Sequence, residues 1–283
     1  MSATTRLVVS CPDRPGIVAA LSRLLHEAGA NIVRSDQYST DPTGGEFFLR
    51  LEFTLAEADR EAVALRLAEE VAPALELTWR LWDGVRRKRI AVLVSRHDHA
   101  LRELLYRAQR DELDAEIVVV ASNHEDLRAD VEALGIPYHH VPVPRGGKPA
   151  AEAALLEVLA AAEVDLVVLA RYMQILSGDF LARVGGPVIN IHHSFLPAFA
   201  GAGPYERARE RGVKLIGATA HYVTEELDAG PIIEQDVTRV THADDVSAMI
   251  RAGADIECSV LARAVRWHCE DRVLPFGNTT IVF

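Results

Sequence analysis

The chain has 283 residues, 49% of them hydrophobic and 25% charged, which is room for about two ordinary domains and lies well outside the composition of disordered chains. Its formal charge is −11 and its longest basic run is Arg86-Arg87-Lys88-Arg89, so the electrostatic footprint of a nucleic-acid binder is missing. Three cysteines, Cys11, Cys258 and Cys269, with no Cys-x-x-Cys pair, argue against a disulfide framework or a thiolate metal cluster; no apolar run reaches the ~20 residues of a membrane span and no signal-like N-terminus is present, so a cytoplasmic protein without membrane partners is expected.

The first elements come in quick alternation. An apolar run at 7–9 leads into the turn Pro12-Asp13-Arg14-Pro15-Gly16, followed by Ile17, Leu21, Leu24, Leu25 and Ala28 at helical spacing, with Gly29 ending the helix. A strand at 32–33, a turn at 41–45, a strand at 47–53, a helix over 57–71 and a strand over 75–81 complete a βαββαβ order, the ferredoxin-like unit. The polar, mostly basic stretch that follows lacks apolar periodicity. Residues 1–83 are thus read as one domain, 84–89 as a linker and 90–283 as a second domain.

From residue 90 the rhythm becomes strand then helix: strands at 90–94, 117–120 and 166–169, helices around 101–105, 127–134 and 150–162, and a long closing helix over 244–270. Apolar runs of this length between amphipathic helices predict strands covered on both faces, hence a Rossmann-like, mainly parallel α/β sheet with its ligand at the strand C-termini. No Gly-x-Gly-x-x-Gly follows a predicted strand, which weighs against a dinucleotide site. Adjacent histidines at 139–140 point opposite ways in a strand, and with His97 and His99 they show no ligand spacing on one face, so no metal is expected.

Chemistry concentrates in two segments. In Asn190-Ile191-His192-His193-Ser194-Phe195-Leu196-Pro197, which follows the apolar pair at 188–189, the Asn190 amide and the His192 imidazole are two residues apart on extended chain and share a face, while His193 points away. In the stretch 217–233, Asp228 stands on a loop between two apolar runs. An amide, an imidazole and a carboxylate suit acyl transfer: donors for an oxygen that becomes negative, and a group that moves a proton. Either Asp228 accepts the proton of an attacking water, or it holds His192 protonated as an oxyanion partner.

These segments resemble the folate-dependent formyltransferase family, whose Asn-x-His, Ser-Phe/Leu-Leu-Pro and Asp-x-Gly elements match Asn190, His192, Ser194, Leu196, Pro197, Asp228 and Gly230. The stretches 190–199 and 214–222 and the tail 263–274 are similar to the hydrolytic branch of that family, and Asp13-Arg14-Pro15-Gly16-Ile17 is similar to the ACT domain that branch carries. The resemblance implies hydrolysis of 10-formyltetrahydrofolate to formate and tetrahydrofolate, balancing one-carbon folate pools and supplying formate for purine biosynthesis. It implies Asn190, His192 and Asp228 as catalytic residues and Met173, Leu176, Ser194 and Gly230 as substrate-binding residues. It also implies an amino-acid effector near Asp13, Gly16 and Ile17, and a homo-oligomer, dimer or tetramer. No separate cofactor is called for, since the folate is the substrate.

Two other readings are weighed: formyl transfer to an amine, and a catalytically silent amino-acid sensor. Enzymes that formylate a phosphorylated amine cradle the phosphate on a Gly/Ser-rich loop after the first strand. Here that position reads Ser95-Arg96-His97-Asp98-His99, with no glycine between Gly84 and Gly135, which favours water. Intact Asn190, His192 and Asp228 weigh against the silent sensor. Ala200 and Gly203 stand where the resemblance leads one to expect lysines, a departure that bears on the electrostatic contacts of that loop and not on Asn190, His192 or Asp228.

Overall fold

The computed structural model describes residues 4–41, 43–197 and 203–283. Two compact units emerge, one running to Arg87 and including Asp271–Leu274 and Ile281–Phe283, the other comprising Lys88–Glu270 and Pro275–Thr280.

In the first unit β1 (Thr4–Pro12), α1 (Ile17–Glu27), β2 (Asn31–Ser39), β3 (Glu46–Thr54), α2 (Arg60–Arg66), a π-helical turn (Leu67–Val71), α3 (Ala72–Leu75) and β4 (Thr78–Trp82) form an antiparallel sheet of order β2-β3-β1-β4. The helical spacing of Ile17, Leu21, Leu24 and Leu25 puts all four against Leu7, Val9, Leu49, Leu51 and Phe53 in one core. Val8 and Phe48 point to the opposite face, where Leu274, Ile281 and Phe283 cover them. Burial on both faces is why β3 reads as a nearly unbroken apolar run rather than an alternating one.

The second unit contains β5 (Lys88–Val94), α4 (His99–Gln109), β6 (Ala115–Ser122), α5 (Arg128–Glu132), β7 (Tyr138–His140), α6 (Lys148–Ala161), β8 (Leu166–Ala170), α7 (Gly178–Arg183), β9 (Val188–His192), α8 (Pro204–Glu210), β10 (Leu215–Tyr222), β11 (Ile232–Arg239) and α9 (Val246–Cys269); the chain ends with the hairpin β12 (Val273–Phe276) and β13 (Thr279–Val282). The sheet order is β11-β10-β9-β8-β5-β6-β7, parallel from β9 to β7, with β10 and β11 antiparallel. All of β8 is buried, and Leu93, Leu155, Val167, Leu169 and Phe180 share one core cluster.

The stretch read as a linker, 84–89, is shorter than expected. Lys88 and Arg89 already pair with Ala115 and Glu116 in the sheet, and the Lys88 ammonium is buried because Nζ donates to the His268 carbonyl at 3.1 Å. A basic residue satisfied in this way gives no apolar signal. The expected second domain, 90–283, accordingly begins earlier and yields Asp271–Leu274 and Ile281–Phe283 to the first unit.

Candidate active site

β5, β8 and β9 end side by side, and the residues just past two of these ends, Arg171 and His193, line a cleft of about 270 Å³ together with Asn190, His192, His221 and Asp228. His193, expected to point away, lines it as well because β9 ends at His192 and strand alternation no longer governs the next residue. This is the strand C-terminal edge at which an α/β sheet holds its ligands. One wall is apolar, made by Leu169, Tyr172, Met173, Ile175, Leu176, Val223 and Leu227. Met173 is 56% exposed at the rim and Leu176 lies deeper, at 8%. Ser95 braces this wall: its hydroxyl accepts from Met173 N at 2.9 Å and donates to Asn123 Oδ1 at 2.7 Å.

The antiparallel register sets the polar wall. Asn190 lies directly opposite His221, and His192 opposite Thr219, which brings facing side chains within hydrogen-bond reach. Asn190 Nδ2 is 3.2 Å from His221 Nε2, and His221 Nδ1 is 2.9 Å from the Tyr222 carbonyl oxygen. A carbonyl only accepts, so Nδ1 carries the ring proton and Nε2 accepts from the amide. Burial holds the His221 ring below its ordinary pKa, in keeping with a neutral ring. Asn190 is therefore held with its NH2 toward His221, and the second N–H remains for a ligand.

Asp228 reaches the same place from the loop between β10 and β11. It adopts φ 56, a left-handed conformation that aspartate tolerates better than most residues. Its Oδ2 lies 3.3 Å from His192 Nδ1 and its Oδ1 3.8 Å from His221 Nε2. The hydrogen bond from His192 holds the Asp228 carboxyl below its ordinary value, against the upward push of burial. His192 is buried, and its Nε2 has no hydrogen-bond partner among the described residues.

The three candidate catalytic residues thus meet in one cleft, with Met173 and Leu176 on its apolar wall. Ser194 and Gly230 do not line it. Ser194 is buried, its carbonyl accepting from Thr219 Oγ1 at 2.8 Å, and Gly230 lies against the Tyr222 carbonyl, where a Cβ would come within 1.9 Å. Both shape the site from behind. Sequence reasoning missed His221, Thr219 and Gln235. Thr219 Oγ1 accepts from Leu196 N at 3.0 Å, and Gln235 Nε2 donates to the Leu196 carbonyl at 2.9 Å, pinning the chain that follows His192. The signal that finds the first two is parity: His221 and Thr219 occupy alternate positions of an apolar strand, on the face that Asn190 and His192 present.

Among the effector candidates, Asp13 already accepts from the Ser39 hydroxyl, and the Ile17 side chain is buried in the core. Gly16, at φ 98, leaves the N-terminus of α1 without a side-chain cap and has open space around it. Of the two lysine replacements, Gly203 precedes α8 at φ 64, and Ala200 lies outside the described residues. No group of three or more His, Cys, Asp or Glu able to hold a metal occurs among the described residues, and none of the described helices is long and apolar enough to cross a membrane.

Residues 88–265 match the formyl transferase family and residues 5–66 the ACT domain. Formyltetrahydrofolate deformylase of Bacillus subtilis is 54% identical over 279 residues, 98% of this chain and 93% of that protein. The chain belongs to the formyltetrahydrofolate deformylase family. The crystal structure of a family member from Pseudomonas syringae superposes with a TM-score of 0.93 at 49% identity, covering 100% of this chain and 95% of that one. The formyltransferase fold extends beyond the family: a glycinamide ribonucleotide transformylase from Symbiobacterium toebii matches 70% of this chain and 94% of its own at TM-score 0.66 and 32% identity. Family membership fixes the fold class read from the sequence, an ACT domain followed by an α/β formyltransferase domain.

Proposed function

We propose that the chain hydrolyses 10-formyltetrahydrofolate to formate and tetrahydrofolate, with Asn190, His192 and Asp228 as its catalytic residues and the wall of Met173 and Leu176 receiving the folate ring. The observation that carries this reading is the buried, unpartnered Nε2 of His192, a residue that lines the cleft with Asn190 while Asp228 Oδ2 lies 3.3 Å from its Nδ1. Water attacks the formyl carbon and yields its proton to Nε2. The oxygen that becomes negative takes the free Asn190 N–H, and Asp228 stabilises the imidazolium. As the intermediate collapses, the C–N10 bond breaks, Nε2–H protonates N10, and formic acid leaves as formate and a proton. Supplying only the formyl-folate and water tests the reading: formate and tetrahydrofolate should appear together, and a requirement for an amine acceptor would overturn it.

His221 acts through Asn190. Its replacement by Ala frees the amide to turn, and kcat in the folded variant is expected to fall about 10- to 100-fold, the cost of a misplaced catalytic group. An unchanged kcat in steady-state assays would remove His221 from this role.

The ACT domain supports a second element of the reading, an amino-acid effector at the uncapped N-terminus of α1, whose N–H groups suit a carboxylate. β2 is an edge strand with Val33 and Tyr38 exposed, which supports pairing of copies into a homo-oligomer in the cytoplasm. Titrating glycine and methionine into the whole protein is expected to give heat of binding and a changed rate of formate release. Neither signal from either amino acid would leave the ACT domain with assembly alone.

A further inference from the structure

The formyltransferase fold serves an amine-formylating enzyme as well as the deformylases, so the choice of nucleophile rests with side chains beside the catalytic groups rather than with the fold. Glu257 of α9 is such a group. It is 2% exposed and outside the cleft lining, and none of the hydrolytic steps uses it. A buried carboxylate is costly unless paired, and this one has hydrogen bonds from His99 Nε2 at 2.9 Å and Tyr205 Oη at 3.1 Å and an ion pair with Arg171, whose buried Nε, 3.4 Å away, makes no hydrogen bond among the described residues. Burial pushes the Glu257 carboxyl up, but the His99 hydrogen bond and the Arg171 charge outweigh it and hold it below its ordinary value.

The cluster reaches the cleft through two of its neighbours. Arg171 lines the cleft, and so does His193, whose ring lies 5.2 Å from that of His192 and 6.1 Å from that of Tyr205. Burial lowers the His193 pKa to about 4, which leaves the ring neutral at pH 7. Arg171 adopts φ 64, a left-handed backbone that a non-glycine residue seldom takes. Strain of this kind persists where the surroundings hold it and the side chain is used.

Resting on the hydrolytic reading above, we infer that Arg171 and Glu257, with His99, Tyr205 and His193, fill the acceptor flank of the catalytic centre and so determine its specificity for water. An amine acceptor larger than water needs a recess beside His192 and an oxygen to receive its own N–H groups. On this flank the Arg171 and His193 side chains line the cleft, and the oxygens of Glu257 are engaged by His99, Tyr205 and the Arg171 charge. Water needs neither. If the flank were opened, the displacement would proceed with a different nucleophile: a C–N bond to the amine forms, the C–N10 bond breaks, and the amine's proton passes through His192 to N10, with no further reactant.

The test compares wild type with R171G, which suits φ 64 and clears the side chain, and with E257Q and Y205F, which keep volume but unsettle the pairing. Each is given 10-formyltetrahydrofolate with hydroxylamine or glycinamide, and formate and N-formyl product are both measured by mass spectrometry. Wild type should release formate almost alone. R171G should raise the ratio of N-formyl product to formate at least about tenfold, the discrimination a changed pocket contact typically carries. Should R171G not fold, E257Q and Y205F are held to the same rise in ratio. An unchanged ratio in folded variants overturns the inference. So does loss of both products from folded variants, because the cluster is then needed for the chemistry rather than for the choice of acceptor. Absence of formate from wild type would instead defeat the hydrolytic reading itself.

Discussion

Asp228→Asn is expected to lower kcat by at least about 100-fold while leaving the KM for the formyl-folate largely unchanged, since general acid–base groups contribute about 10²–10⁴. Asparagine tolerates the left-handed backbone at φ 56, so the loop should survive the change. What is lost is the negative charge facing His192 Nδ1 at 3.3 Å, and with it the stabilisation of the imidazolium that forms when Nε2 takes the proton. His192→Ala should cost at least as much, because it removes the atom that carries the proton. Near-wild-type turnover in folded D228N would take Asp228 out of the mechanism.

The same variant carries a pH signature. The His192 hydrogen bond depresses the Asp228 pKa below its ordinary value in the folded state, so ionised Asp228 favours folding. That contribution is complete above the unfolded value of about 3.9 and is lost as pH falls through the lower folded value. Thermal denaturation of wild type and D228N should therefore show a constant Tm difference above about pH 5, and a loss of wild-type stability relative to D228N as pH falls below about 4. A difference that stays flat across that range would contradict the pairing.

Gly230→Ala is the second large effect. An added Cβ would lie 1.9 Å from the Tyr222 carbonyl oxygen and 3.1 Å from Thr224 Cγ2, and backbone cannot yield as a flexible side chain can. The strand end or the loop has to move, at a cost of about 1–3 kcal/mol for overpacking. That loop also carries Asp228, and a displacement of about 1 Å at a catalytic group is enough for a loss near 100-fold. Denaturant melts and steady-state kinetics should show both losses together. An unchanged Tm and kcat would mean that the loop is not held where the structure places it.

Much of this was legible in the sequence, for physical reasons that differ from element to element. The strands at 90–94 and 166–169 read clearly because burial on both faces makes them continuous apolar runs. The shared face of Asn190 and His192 follows from alternation along one strand. His221 was hidden because its partnership with Asn190 exists only through the β9–β10 register; parity along the apolar strand marks its face but not its partner. Glu257 was hidden for the converse reason: one carboxylate on a long helix reads as a solvated charge until packing brings His99, Tyr205 and Arg171 to it. The short helices α7 and α8 and the hairpin of β12 and β13 escaped because few residues in each carry a periodic pattern. In the hairpin, Leu274, Ile281 and Phe283 acquire meaning only against Val8 and Phe48. Ser194 and Gly230 belong to the motif yet stand outside the cleft lining, since a motif marks what a site needs without separating the residues that line it from those that shape the backbone behind it.

The central claim is that water is the nucleophile at the formyl carbon, activated at His192. Turnover of 10-formyltetrahydrofolate by the wild-type protein in ¹⁸O-enriched water, with no amine present, tests it most directly. Formate should carry one oxygen from the solvent, form in equal amount with tetrahydrofolate, and disappear with H192A. Formate lacking solvent oxygen, or tetrahydrofolate released only when an amine is added, would contradict it.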